Sequence, residues 1–176
     1  GILNTNSSRS CYFESKRVAE SLCFDYARKF DMKVKVARIF NSYGPNMSLL
    51  DRRVVGNFIK QSLNSESLTI YGDGEQTRSF CYISDLIIGL TKIMESSFFG
   101  PVNVGNPNEI SIKKLAIIIS NKLNKNIVFE YRPRLIDEPM NRKPCIDLVK
   151  SVMDWEPKVN INDGIDLTIN FLKNNP

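Results

Sequence analysis

Histidine is absent from the 176 residues. That removes the Ser-His-Asp triad, the Cys-His dyad, imidazole metal ligation and an imidazole pH switch from this chain. Proton transfer must fall to Tyr, Lys, Cys or a carboxylate. Four cysteines, Cys11, Cys23, Cys81 and Cys145, stand far apart with no C-x-x-C pair. Neither a disulfide framework nor a metal site is expected, and scattered reduced thiols fit a cytoplasmic protein. No G-x-G-x-x-G, G-x-x-G-x-x-G or P-loop occurs, so the chain lacks the usual phosphate cradle of a dinucleotide or nucleoside triphosphate. No apolar run approaches the roughly 18 residues of a membrane span, and nothing at the start reads as a signal peptide.

What is present suits a folded α/β protein. Apolar residues make up 42% of the chain, enough to bury a core. The 24 basic and 19 acidic residues leave a net charge of +5, dispersed along the chain, which favours anionic small molecules over nucleic acid. The chain starts on Gly1 and its first regular element only near Ser10, and we read it as a piece of a longer protein.

The spacing predicts a helix over 10–30, with Val18, Ala19, Leu22, Cys23 and Tyr26 on its apolar side. Lys33 and Lys35 alternate with Val34 and Val36 before Ala37, Ile39 and Phe40, which predicts a strand over 32–40 running into a covered sheet. Residues 41–45 break it. A second helix is expected through Val54, Val55, Phe58, Ile59 and Leu63, then a hairpin of 68–71 and 77–83 around the Gly72-Asp73-Gly74 turn. Ser84 or Asp85 would cap a third helix, and Ser111 a fourth carrying Ile112, Leu115, Ala116, Ile119 and Leu123. Short strands are expected at 102–104 and 127–131, with helices near 148–153 and 162–172. Such alternation of helix and strand is an α/β layer pattern.

Four clusters could carry chemistry. Tyr12 and Lys16, four apart, share one helix face, and an ammonium beside a phenol favours the phenolate, a usable general base. By itself the pair is equally a surface Tyr and Lys. Arg38 to Pro45 is a strand emptying into a Gly-Pro turn, where open α/β sheets bind ligands. In Gly72 to Arg78 an arginine follows a flexible turn and could clamp phosphate, or be a solvated hairpin residue. Arg142-Lys143-Pro144 follows a loop carrying Asp137 and Glu138, and could equally be a surface basic pair.

In this order the runs Arg9 to Tyr26, Val36 to Pro45, Arg53 to Ile59, Leu68 to Tyr82 and Val102 to Asn106 resemble the carboxyl-terminal half of an extended short-chain dehydrogenase/reductase acting on nucleotide sugars, most of all its UDP-glucuronate decarboxylase branch. The resemblance implies the C-terminal part of a Rossmann-type fold over 1–45, with the Y-x-x-x-K helix, and a small α/β substrate-binding domain over 46–176. It implies tightly held NAD, with the glycine-rich loop upstream of Gly1, and a UDP-sugar substrate. Tyr12 would take a proton from the sugar 4-hydroxyl as hydride passes to NAD, and Lys16 would hold the nicotinamide ribose. The C4 ketone makes the C6 carboxylate a β-keto acid, CO2 leaves, and returned hydride gives UDP-xylose.

Cofactor contacts would come from Tyr12, Lys16 and Arg38. Substrate contacts would come from Asn41, Val54, Asn57, Tyr71, Arg78 and Arg142, with both arginines near the pyrophosphate. The family usually has Asp and Gly at Phe13 and Ser15, positions read as facing away from the catalytic side with little effect, and an Asp at Cys145. A homodimer through the Tyr12–Lys16 helix is implied. Cytoplasmic placement is expected, with a Golgi-lumen form as the alternative if an upstream anchor exists. A 4-epimerase, a 4,6-dehydratase or a non-catalytic nucleotide-sugar binder are the other readings.

Overall fold

The computed structural model describes residues 5–7, 10–48, 51, 53–126, 128–134 and 138–174. Arg9, Ile127 and Asp137, which figure in the sequence reading, lie outside the described residues. In chain order the elements are α1 (Ser10–Phe30), β1 (Val36–Ile39), β2 (Ser42–Tyr43), α2 (Val54–Leu63), β3 (Leu68–Tyr71), β4 (Thr77–Ser79), β5 (Cys81–Tyr82) and α3 (Ile83–Glu95). There follow β6 (Pro101–Val104), β7 (Glu109–Ser111), α4 (Ile112–Lys122), β8 (Phe129–Arg132), β9 (Asn141–Arg142), α5 (Asp147–Met153) and α6 (Ile161–Asn174).

The strands form small sheets. β1 runs parallel to β6, Val36 opposite Pro101 through Ile39 opposite Val104, and β2 runs parallel to β5. β3 is parallel to β8, while β4 lies between antiparallel β7 and parallel β9. The expected hairpin does not form. Gly72 and Gly74 hold φ of 73° and 81°, a region glycine enters without a Cβ clash. This turn sends β4 away from β3, whose hydrogen bonds are taken by β8 instead, with Gly72 N–H continuing that ladder to Arg132 O at 2.8 Å.

Two apolar clusters hold the chain together. In one, Phe58 and Ile59 of α2, Ile70 of β3, Leu115 and Ile119 of α4 and Ile165 of α6 are all but inaccessible; each full burial of such a side chain is worth about 1.5–3 kcal/mol. Gly164 lets α6 pass close, since a Cβ there would stand 2.0 Å from the Tyr43 hydroxyl. The second cluster packs α3 and α5 around β6, with Val104, Val149 and Trp155 inside.

Helix starts follow two patterns. Ser111 caps α4 as expected, its hydroxyl accepting from Lys114 N–H at 3.2 Å. For α3 the expected Ser84 or Asp85 cap is wrong: the cap position is Tyr82. Asp85, buried in the first turn, accepts from Lys158 N–H at 2.9 Å and Val159 N–H at 2.8 Å, and its carbonyl accepts from the Trp155 indole. A buried carboxylate with two backbone donors was more useful to the tertiary structure than to its own helix.

The expected helix over 10–30 is present, but only Ser10 of it is buried. Val18, Leu22, Tyr26 and Phe30 are each more than half exposed, as is Ile39 of β1. The covered sheet expected at the end of β1 is therefore not found among the described residues, because β6 is its single paired neighbour there and no helix lies over Ile39.

Candidate active site

The Tyr12–Lys16 pair survives as geometry. In α1 the two side chains share a face, with Lys16 Nζ 5.6 Å from the centre of the Tyr12 ring, a cation–π distance. Tyr12 is 60% exposed, so the phenol is open to an incoming group. Ser15 donates to the Tyr12 carbonyl at 2.8 Å. Phe13 departs from the expectation that it has little part here: its ring meets Tyr12 edge-on at 5.7 Å and lies 5.7 Å from the Arg142 guanidinium carbon.

Arg38, at the carboxyl half of β1, is held by Glu20 of α1 in a two-pronged ion pair through its Nε and Nη2. The Arg38 hydrogen bonds hold the Glu20 carboxyl below its ordinary value, and the same contacts raise Arg38. This fork fastens the helix to the strand beneath it. Asn41 follows β1, its side chain donating to Ser79 O at 3.2 Å while its carbonyl accepts from Cys81 N–H. Beyond it a cavity of about 250 Å³ is lined by Ser42, Tyr43, Pro45, Met47, Asp51 and Arg53. It opens at the strand-to-helix exit, where open α/β folds bind ligands. A larger cleft of about 650 Å³ at Lys33, Lys35 and Phe99 sits at the opposite end of β1, its Lys35 ammonium already donating to the Met94 and Ser96 carbonyls.

The remaining predicted residues lie on α2, β3, β4 and β9. Val54 opens α2, and Asn57 one turn on donates to Gln61, which itself donates to Thr69 at 2.8 Å. Tyr71 ends β3, partly exposed. Arg78 and Arg142 are register partners in parallel β4 and β9, which sets two guanidinium-bearing residues side by side on one sheet face. Two adjacent cations normally repel. Glu138 offsets this, its carboxylate 3.0 Å from Arg78 Nη2, while Arg78 Nη1 donates to Thr77 O and Met140 O. Arg78 is thus 7% exposed, with its guanidinium engaged by Glu138 and two carbonyls.

Sequence reasoning did not name Glu20 at all, and it named Glu138 and Phe13 without the contacts they make here. The two carboxylates carry no local signal, since each meets its arginine across a loop or between elements. For Phe13, neighbours along a helix point apart, and only the approach of β9 brings its ring into play. The buried Cys81 thiol is pushed up to about 12 by burial and by the Asp85 carboxylate, so it is inert. No cluster of three metal-ligating side chains and no helix long and apolar enough to cross a membrane occurs among the described residues.

Comparison with known proteins places this arrangement. The chain is 47% identical over 169 residues to UDP-glucuronic acid decarboxylase 2 of Arabidopsis thaliana, covering 96% of this chain and 38% of the relative. It is 44% identical over 173 residues to UDP-glucuronic acid decarboxylase 1 of Xenopus tropicalis, covering 98% and 41%. The chain thus spans about half the length, or less, of the curated relatives it matches. Among solved structures, UDP-glucuronic acid 4-epimerase of Bacillus cereus, in complex with UDP-glucuronic acid and NAD, superposes with a TM-score of 0.82 at 28% identity, over 88% of this chain and 50% of that one. UDP-glucose 4-epimerase of Thermotoga maritima, with UDP-glucose, gives a TM-score of 0.84 at 26% identity, over 90% and 52%.

A mixed α/β chain with parallel strand pairs that superposes on these epimerases has the Rossmann-like fold of the extended short-chain dehydrogenase/reductases. The profile of the NAD dependent epimerase/dehydratase family matches residues 3–105, and the chain belongs to that family.

Proposed function

We propose that the whole protein decarboxylates UDP-glucuronate to UDP-xylose with NAD as bound cofactor, this chain supplying the catalytic helix and the substrate-binding part. The carrying observation is the exposed Tyr12–Lys16 pair in a chain 47% identical to UDP-glucuronic acid decarboxylases.

The donor set fits the cofactor's ribose end. A phenol and an ammonium on one exposed helix face offer hydroxyl and N–H donors to vicinal hydroxyls, and Arg38, fixed to Glu20, would serve from the strand beneath. When bound, NAD takes up and returns the hydride of the sugar C4. Tyr12 would then remove the proton of the 4-hydroxyl, with the Lys16 ammonium beside its ring. With C4 a ketone, the C5–C6 bond breaks, its electrons pass through C5 into the carbonyl as CO2 departs, and the enolate so formed takes a proton from water at C5, which restores the C4 ketone. Tyr12 returns its proton to the C4 oxygen at the end.

Arg78 and Arg142 would hold the diphosphate, two adjacent cations meeting two anionic groups. Asn41, Val54, Asn57 and Tyr71 would position the uridine and sugar. We also propose a homodimer through α1, supported by the exposed Val18, Leu22, Tyr26 and Phe30 and checked by light-scattering mass.

Mass spectrometry of the whole protein's products from UDP-glucuronate and NAD tests the reading. A product that retains UDP and is lighter by CO2 is expected. Conversion to UDP-galacturonate without loss of mass, read by chromatography, would move the assignment to 4-epimerisation, the reaction named for a structural neighbour. No turnover of any UDP or dTDP sugar would leave a binding protein.

A further inference from the structure

We propose that Gln61 is a positioning residue: its side-chain amide joins α2 to β3 and decides which end of the Asn57 amide is left to a ligand. The inference rests on the functional reading above for its ligand, a nucleotide sugar, and gives the Asn57 contact of that reading a definite polarity.

Asn57 and Gln61 stand four apart on α2, so they meet on one face of the helix. A side-chain amide has nearly the same shape whichever way it is turned, and its partners settle which end is oxygen and which nitrogen. Here a backbone group makes the choice. Thr69 N–H, in β3, can only donate, and it donates to Gln61 Oε1 at 3.3 Å. That turns Gln61 Nε2 toward the Thr69 hydroxyl, to which it donates at 2.8 Å. Gln61 Oε1 also meets the Asn57 amide at 3.3 Å, and because this oxygen can only accept, Asn57 offers it Nδ2. The Asn57 oxygen is then the end of that amide not engaged by Gln61.

The polarity thus passes from the backbone of β3 through Gln61 to Asn57. With Oδ1 left to the ligand, Asn57 suits a hydroxyl or N–H donor of a nucleotide sugar and disfavours an acceptor such as a phosphate oxygen. The same amide holds α2 against β3, so Asn57 keeps its place relative to Tyr71 at the end of that strand. The Gln61 carbonyl accepts from Glu66 N–H at 2.8 Å, which fixes the connection between the two elements. Without the Gln61 side chain the Asn57 amide would present N–H as readily as oxygen, and substrate affinity rather than the chemical step should suffer.

The test uses the whole protein with Gln61→Met, which keeps the length but loses the amide, Gln61→Glu, which keeps an acceptor oxygen for both N–H groups, Asn57→Ala, and Gln61→Met combined with Asn57→Ala. UDP-xylose is the calorimetric probe, UDP-glucuronate the kinetic one, and thermal unfolding without ligand is followed for every variant. Expected are a UDP-xylose Kd and a KM raised about two- to tenfold by Gln61→Met, the range for one hydrogen bond, with kcat within about twofold. Gln61→Glu should bind more tightly than Gln61→Met, and Gln61→Met should add nothing once Asn57→Ala is present. A clasp between α2 and β3 and nothing more would lower the unfolding midpoint without this coupling in affinity. Additive losses in Kd would overturn the proposal, as would an unchanged Kd in Gln61→Met while Asn57→Ala weakens binding, or a parent that binds no UDP-xylose. Should Asn57→Ala bind as the parent does, the Asn57 contact of the functional reading fails and the proposal with it. A parent that binds UDP-xylose but does not decarboxylate UDP-glucuronate would sink the functional reading alone, and a non-additive binding cycle in that protein still supports Gln61.

Discussion

Helices α1 and α4 both carry apolar side chains at helical spacing, yet α4 buries Leu115, Ala116 and Ile119 completely while α1 leaves Val18, Leu22, Tyr26 and Phe30 more than half exposed. Periodicity shows that a helix has an apolar face; it does not show that this chain covers it. α4 is held by α2, β3 and α6 through close packing. What fastens α1 is of another kind: the Glu20–Arg38 fork and the Phe13 ring contacts. The Tyr12–Lys16 pair therefore sits on the more exposed helix of the two.

Chemistry should separate the two regions most sharply. Tyr12→Phe removes one hydroxyl from an exposed ring, so the unfolding midpoint should not move, while turnover falls about 10²- to 10⁴-fold, the usual worth of a general acid–base group. UDP binding should persist in calorimetry, and unchanged turnover would take Tyr12 out of the mechanism.

Packing comes next. Ile59→Ala should cost about 2–5 kcal/mol in denaturant unfolding, the range for deleting a fully buried aliphatic side chain, and Leu22→Ala on α1 less than about 0.5 kcal/mol. A Leu22→Ala cost approaching that of Ile59→Ala in the whole protein would mean that its face is covered there, by a second copy or by other polypeptide. Asp85→Ala should be comparable to a modest core deletion, about 2–4 kcal/mol, because two backbone N–H groups lose their acceptor and a buried side chain is removed. Asp85→Asn, which keeps a carbonyl oxygen for them, should cost less than Asp85→Ala, and equal costs would show that charge matters more than the hydrogen bonds.

The smallest effect belongs to the Glu20–Arg38 fork. Its arginine is half exposed, so Glu20→Gln should cost only about 0.2–1 kcal/mol at neutral pH. The folded-state value of Glu20 is depressed by the Arg38 hydrogen bonds. Its contribution is therefore fully present above the unfolded carboxylate range and fades as pH falls through the folded value. Parent and variant should differ in unfolding midpoint at pH 7 and converge in acid; a difference that persists or grows in acid would show that the fork is not the cause.

Much of the fold was legible because local signals agreed with it. Helix α1 covers the residues 10–30 that the helical spacing picked out, Ser111 caps α4 as its hydroxyl suggested, and α2 spans the apolar series from Val54 to Leu63. Strand partners were not legible. Leu68 to Tyr71 and Thr77 to Ser79 flank a glycine turn, as a hairpin would, but the ladders run to β8 in one case and to β7 and β9 in the other. A two-residue strand such as β9 has too little pattern to be read at all.

The sequence by itself determined the helices, the turn glycines, the four-residue spacing that stacks Lys16 on Tyr12, and the exclusion of imidazole chemistry, because each depends on residues close along the chain or on composition. Only the tertiary structure decided that Arg78 stands beside Arg142, that Glu138 pairs with Arg78 while Phe13 lies against Arg142, and that Asp85 serves a distant loop instead of its own helix. Those outcomes depend on which surfaces meet after the chain closes on itself, where burial makes every unpaired charge and orphaned N–H costly enough to select its partner.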